Sequence, residues 1–344
     1  MLKKIKFALT GCGNMAAKHA EAIAALPDCE LAAVYDIDQA PLQQFAGKYG
    51  ARAYADYLLL LEDPDLDVIS ICTPSGLHAS MGVAAARAGK NVLVEKPMAL
   101  SLDDADRLIE ACEKAAVTLG VVHQNRFKPA ILRLNRAMEE GRFGKVMHAN
   151  ATVRWNRNKD YYEQKTWRRL KDMGGGVLLN QAIHNIDLLQ WMMGRVVSVF
   201  GYTAANLGLT EGEDVGVAVL RFAGGGLGIV EASSAVYPRS LEETISIFGE
   251  KGTVIIGGTS VGEVKVWKFN SPEKEGVLGP DVNGRSGESP LVCCIGDMAQ
   301  AVRAQRKPKV DGREGRKALE IILAIQQSSV TGKEVVLPLG AAEN

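Results

Sequence analysis

Lys96 stands in Asn91-Val-Leu-Val-Glu95-Lys96-Pro97, an apolar run that ends in an acid, a base and a proline. Val92, Leu93 and Val94 suit a strand buried on both faces, and Pro97 cannot donate to a sheet ladder, so the strand stops there. An ammonium at that end can hold an oxygen in the crevice of an open α/β sheet, or it can snorkel beside a turn. A sharp stop at a ligand edge also tolerates a cis proline, so the Lys96–Pro97 bond is expected to be cis. A second candidate lies in a glycine loop running into a helix, Gly174-Gly-Gly-Val-Leu-Leu-Asn180-Gln181-Ala-Ile-His184-Asn-Ile-Asp187. Asn180, His184 and Asp187 fall at i, i+4 and i+7 and share one helical face. An imidazole titrates at about 6.5 and can accept a proton from a hydroxyl at neutral pH; the alternative is a satisfied core histidine.

Between them, residues 154–172 carry Arg154, Arg157, Lys159, Lys165, Arg168, Arg169 and Lys171 against Asp160, Glu163 and Asp172. This local excess is interleaved with Trp155, Tyr161, Tyr162 and Trp167. Guanidiniums hold carboxylates and phosphates in bidentate fashion, and the rings offer stacking faces for a sugar or a base. A solvated charged loop is the alternative.

These residues need elements to place them. Ile5 to Thr10 reads as a strand feeding Gly11-Cys12-Gly13-Asn14-Met15-Ala16, a G-x-G-x-x-A turn that opens a helix and lets the backbone approach a pyrophosphate. The strand Leu31–Asp36 ends in an acid placed to take ribose hydroxyls, and Asp36 repels a 2′-phosphate, so NAD is expected rather than NADP; the alternative is a strand-end acid that caps the next helix. Thr73-Pro74-Ser75-Gly76-Leu77-His78, after the strand Asp67–Cys72, can wall the nicotinamide side; His78 can equally be a first-turn helix residue without chemistry. Helices at 39–49, 78–88 and 102–115 and strands at 91–95 and 117–122 continue an alternation that means a doubly wound parallel sheet.

After His123-Gln124-Asn125-Arg126-Phe127 the rhythm changes. A helix over 130–140 precedes long strands at 146–155, 196–205, 215–222, 227–235, 244–248, 253–256 and 263–269, several joined by glycine-rich turns, the pattern of antiparallel hairpins. Ser271–Glu288 reads as a loop, 291–305 and 315–328 as helices and 334–338 as a closing strand. The reading is an α/β Rossmann domain over 1–123 and an α+β domain over 124–344 with a large, mainly antiparallel open sheet, whose last segment can return to the first domain.

Forty basic residues balance forty acidic ones among 344, so no global field draws the chain to nucleic acid or a membrane surface. The six cysteines are scattered in apolar runs without metal-type pairing, which suits a reducing cytoplasm and no metal. No run approaches a membrane span, and the N-terminal residues do not suit an export signal. A broad sheet with one uncovered face predicts a homodimer or homotetramer.

In order and spacing, the G-x-G-x-x-A turn, Glu95-Lys96-Pro97 and the His184 helix resemble the Gfo/Idh/MocA family of sugar and cyclitol oxidoreductases. That resemblance implies an NAD-dependent dehydrogenase with Lys96 and His184 as catalytic residues. It implies cofactor contacts from Gly11, Gly13, Asn14, Met15, Asp36, Thr73, Pro74, His78, Glu95, Lys96 and Gln124. Substrate contacts would come from Asn125, Arg126, Arg154, Arg157, Tyr161, Trp167, Arg168, Asn180, Gln181 and Asp187. Many members have Asp at the place of Asn180 and Gly at that of Ala182; an amide cannot act as a base, which leaves the proton to His184. The stretches His123–Phe127, Val153–Arg157, Asp160–Tyr162 and Asn180–His184 are similar to the branch that oxidises C3 of UDP-N-acetylglucosaminuronate for surface polysaccharide. An inositol- or glucose-type polyol dehydrogenase, or an NAD-binding sensor, is the other reading.

Overall fold

The computed structural model describes residues 3–270 and 289–340, so the expected loop Ser271–Glu288 lies outside the described residues. The chain divides into two compact units, residues 1–124 with 288–316 and residues 125–287 with 317–344. Residues 289–316 thus count with the first unit, where helix Pro290–Ala304 packs against helix Asn14–Ala24.

The first unit is built on a six-stranded sheet with the order β3-β2-β1-β4-β5-β6. Its strands are β1 Ile5–Thr10, β2 Cys29–Tyr35, β3 Arg52–Tyr54, β4 Val68–Ile71, β5 Asn91–Val94 and β6 Leu119–Val121. All pairings are parallel. The central strands are buried on both faces, through Phe7, Leu9, Val34, Ile69, Ile71, Val92 and Val94, as near-continuous apolar runs require. Two residues of β3 are exposed, so this edge strand has no apolar signature from which to foresee it. Strand order reverses between β1 and β4, the switch point beside which such sheets bind ligands. The expected start of helix Leu102–Lys114 is present: Ser101 Oγ accepts the Asp104 N–H at 3.1 Å.

The second unit carries an eight-stranded sheet. Its strands are β7 Val146–Arg154, β8 Val196–Ala204, β9 Val215–Phe222, β10 Leu227–Ser233, β11 Glu242–Gly249, β12 Gly252–Gly257, β13 Glu263–Phe269 and β14 Val335–Val336, in the order β13-β12-β11-β7-β10-β9-β8-β14. Every pairing is antiparallel except β7 with β10. In β9 burial alternates strictly, with Gly216, Ala218, Leu220 and Phe222 inward and Val217, Val219 and Arg221 outward. Helix Ile183–Met193 packs on β7 and β11.

Candidate active site

The glycine turn takes the form a dinucleotide requires. Gly11 has φ +85°, and a Cβ there would meet the Cys72 backbone at 3.1 Å, so only glycine fits. At Gly13 the side where a Cβ would stand is open, with nothing within 4 Å, at the N-terminus of helix Asn14–Ala24. This is the space and the positive helix end that a pyrophosphate uses. Asp36, just beyond β2, accepts the Cys12 N–H at 2.6 Å and the Asp38 N–H at 2.9 Å, which places its carboxylate against the turn. At the same edge of the sheet, beyond β4, Thr73 Oγ1 is buried without a hydrogen-bond partner among the described residues, as is Gln124 Oε1. The open cradle and an acid in place of a cation fit NAD.

The Lys96–Pro97 bond is cis, as expected. Lys96 is half-buried, and its N–H donates to Glu95 Oε2 at 3.1 Å. Glu95 itself is turned inward: it is buried, and its Oε1 lies 3.0 Å from His19 Nε2. His78 is also internal. Its Nδ1 is 2.8 Å from Pro97 O and its Nε2 2.9 Å from Thr73 O, so it braces the Lys96–Pro97 turn rather than lining the cofactor groove. Two carbonyls ask for two N–H donors, but burial pushes the His78 pKa down and favours the neutral ring, which serves one of them as donor.

In the second unit the sequence-derived residues separate into three sets. One surrounds Gln181. Arg157 Nη2 donates to Gln181 Oε1 at 2.9 Å, and Gln181 Nε2 donates to Tyr161 Oη at 3.0 Å and Asn180 Oδ1 at 2.7 Å. The Arg157 guanidinium lies 4.4 Å from the Trp155 ring centre and 4.9 Å from that of Tyr161; Arg168 lies 4.3 Å from Tyr161 and 5.7 Å from Trp167. Neither guanidinium meets a carboxylate among the described residues, and Arg157 Nε is buried without a hydrogen-bond partner. This set abuts the His184 helix, whose start is a π turn at Leu178–Ala182 containing Asn180 and Gln181. π turns inside helices cluster at functional sites.

Two further sets, expected to face substrate, are ion-paired within the second unit. Arg154 donates to both oxygens of Glu231, at 2.7 and 2.6 Å, and to Glu242 at 2.5 Å, so its charge is matched across β10 and β11. Arg126 and Asp187 form a bidentate pair, at 2.8 and 2.6 Å, with side chains 4% and 1% exposed, and Trp191 stacks 4.9 Å from the guanidinium. Asp187 therefore leaves the polar stripe and anchors its helix, while His184 and Asn180 remain. Asn125 is also buried, and Lys159, Lys165, Arg169 and Lys171 extend into solvent. Sequence reasoning missed Glu213, whose Oε1 accepts the Leu178 N–H at 3.0 Å, and His19; neither stands in a motif. No cluster of three or more metal-ligating side chains occurs among the described residues, and no helix among them is long and apolar enough to cross a membrane.

A doubly wound sheet with a dinucleotide turn, a ribose acid and a strand-end lysine, in one chain with a large, mainly antiparallel sheet, defines a nicotinamide-dependent dehydrogenase. The chain belongs to the Gfo/Idh/MocA oxidoreductase family: residues 5–123 match its NAD-binding Rossmann fold and residues 131–255 its C-terminal domain. Myo-inositol 2-dehydrogenase of Thermotoga maritima is 32% identical over 73% of this chain and 74% of its own length. The WlbA dehydrogenase of Bordetella pertussis, solved in complex with NADH and UDP-GlcNAcA, is 36% identical with a TM-score of 0.94, covering 98% of this chain and 99% of that one. The WlbA enzyme of Chromobacterium violaceum, in complex with the same two molecules, is 38% identical with a TM-score of 0.92, over 98% and 97% of the two chains. The protein is accordingly an NAD-dependent dehydrogenase of the sugar and polyol class.

Proposed function

We propose that the protein oxidises a secondary hydroxyl of a nucleotide-linked sugar acid, the C3 hydroxyl of UDP-N-acetylglucosaminuronate, in the synthesis of a surface polysaccharide. The observation that carries this reading is the Arg157–Arg168 pair: two half-buried guanidiniums with aromatic faces and no carboxylate partner among the described residues, beside the His184 helix. Held cations without counter-charge suit an anionic ligand, and a carboxylate, a diphosphate and a uracil use both the charge and the rings. The UDP-GlcNAcA in the two WlbA structures supports the same class. The myo-inositol 2-dehydrogenase relative favours a second reading, a neutral polyol, which would leave both guanidiniums without use.

In the proposed mechanism Lys96, as an ammonium, donates a hydrogen bond to the reacting hydroxyl oxygen and stabilises its developing alkoxide character. His184, neutral, takes the hydroxyl proton. Asn180, Gln181, Tyr161, Trp167, Arg157 and Arg168 orient the substrate. Gly11, Gly13, Asn14, Met15, Asp36, Thr73, Pro74 and Gln124 hold the cofactor. NAD, when bound, supplies the hydride acceptor. The working protein is a homodimer or homotetramer. Incubation with NAD and a panel of polyols, aldoses and UDP-sugar acids, followed by NADH absorbance, tests the substrate; turnover of neutral polyols alone overturns the acid-sugar reading. Lys96→Met is expected to lower kcat by roughly 10³-fold or more with NAD binding largely intact; near wild-type turnover would remove Lys96 from the mechanism.

A further inference from the structure

His19 is fully buried and joins three elements of the first unit. It comes from helix Asn14–Ala24, which the glycine turn opens; its Nδ1 lies 2.9 Å from Ser70 Oγ on β4 and its Nε2 3.0 Å from Glu95 Oε1 at the end of β5. The other Glu95 oxygen accepts the Lys96 N–H. A single imidazole therefore fixes the carboxylate on which the Lys96 backbone hangs. Charge points the same way. A buried carboxylate one residue from Lys96, left uncompensated, would share the ammonium's charge and hold its proton more tightly.

We propose that His19 is a positioning residue which neutralises and orients Glu95, so that Lys96 keeps a fixed place and its full positive charge for the substrate oxygen. The inference rests on the role assigned to Lys96 above. Burial works against a charged His19, but Cys72 and then Glu95 outweigh it, and the imidazole is raised to about 10. Glu95 is held below the usual carboxylate range, against its own burial, by the His19 hydrogen bond and charge and by Lys96. Both directions describe one neutral imidazolium–carboxylate pair. The other titratable groups facing it are Cys72 at the end of β4, His78, which burial keeps neutral, and Cys294 on helix Pro290–Ala304, whose thiol burial pushes up.

The test measures the proton affinity of Lys96 directly, by competitive acetylation with acetic anhydride across pH and peptide mass spectrometry, on full-length wild type, His19→Gln, Glu95→Gln and the double variant. His19→Gln is expected to raise the Lys96 midpoint by about one pH unit, and the double variant to return it to the wild-type value. Glu95→Gln alone, which leaves a neutral His19, is expected to leave the midpoint in place and keeps the test decisive should His19→Gln fail to fold. A midpoint that does not move in His19→Gln, or that falls by about a unit in Glu95→Gln, overturns the proposal. Kinetics of the same proteins should show kcat lowered roughly tenfold in His19→Gln, largely recovered in the double variant, with NADH affinity little changed. Absence of NAD-dependent turnover in wild type would defeat the functional reading, while the labelling midpoints still decide the role of His19.

Discussion

Arg126 and Asp187 are 61 residues apart and meet in a bidentate pair almost closed to solvent. Two buried charges are tolerable because each desolvates against the other, and removal of one leaves the second uncompensated. Asp187→Asn is therefore expected to cost about 3–5 kcal/mol in chemical denaturation, and Arg126→Met with Asp187→Leu to recover most of it. A stable Asp187→Asn protein with impaired substrate binding would return Asp187 to the ligand set. Gly13 behaves in the opposite way. A methyl there meets nothing in the protein, so Gly13→Ala should leave the melting temperature unchanged and weaken NADH roughly tenfold, read by fluorescence titration, because the methyl enters the pyrophosphate space. Equal affinity for NADH in the two proteins would move the cofactor away from this turn.

Elements that declare themselves locally were legible in the chain. The glycine turn, the abrupt strand end at Pro97, the period-two strands of the second sheet and the capped helix at Ser101 depend on turn chemistry and short periods, which residues within about ten positions determine. What stayed hidden depends on distant partners. Arg154 and Arg157 look alike in sequence, yet Arg154 meets Glu231 and Glu242 while Arg157 meets only neutral groups among the described residues, and nothing within the basic segment distinguishes them. Glu213 is hidden for the same reason. It receives the Val177 N–H on its carbonyl at 2.8 Å, the Leu178 N–H on its carboxylate and Gln326 Nε2 at 3.2 Å, and so holds the start of the His184 helix. A Cβ on Gly176 would stand 2.1 Å from the Glu213 carboxyl carbon, so Gly176→Ala should displace that helix start, destabilise by about 1–3 kcal/mol and lower kcat. Burial pushes the Glu213 pKa above its ordinary 4.5. A raised carboxyl favours the fold fully below the ordinary value and loses that contribution as pH rises through the folded value, where the buried group takes on its charge. Glu213→Gln keeps an acceptor for Leu178 and removes that charge. Its melting temperature should exceed that of wild type at neutral pH, with the difference closing as pH falls toward 4.5; a constant difference across pH would remove titration from the explanation.

The whole molecule presents an unusual surface on its second sheet. Phe200, Val219, Ile229 and Asn150 stand opposite one another in successive strands β8, β9, β10 and β7, and Tyr202 and Val217 form the adjacent pair. Tyr202, Val217, Val219, Leu227 and Ile229 are each close to half exposed or more. Apolar side chains on neighbouring strands make one contiguous patch, which single chains in water seldom leave uncovered. A second copy of the same face is the simplest cover, because a two-fold interface sets each residue of the patch against the same patch and closes without leaving an edge. Charge placed at the centre should break that match while sparing the inward residues of β9 and β10. Val219→Lys with Ile229→Lys is expected to lower the mass measured by light scattering to that of one chain, with an unchanged circular dichroism spectrum. Wild type should melt at a temperature that rises with protein concentration, and the double variant at one that does not, because association adds stability by mass action only where it occurs. A wild-type protein of monomer mass at micromolar concentration, or a double variant of wild-type mass, would show that the face serves another purpose.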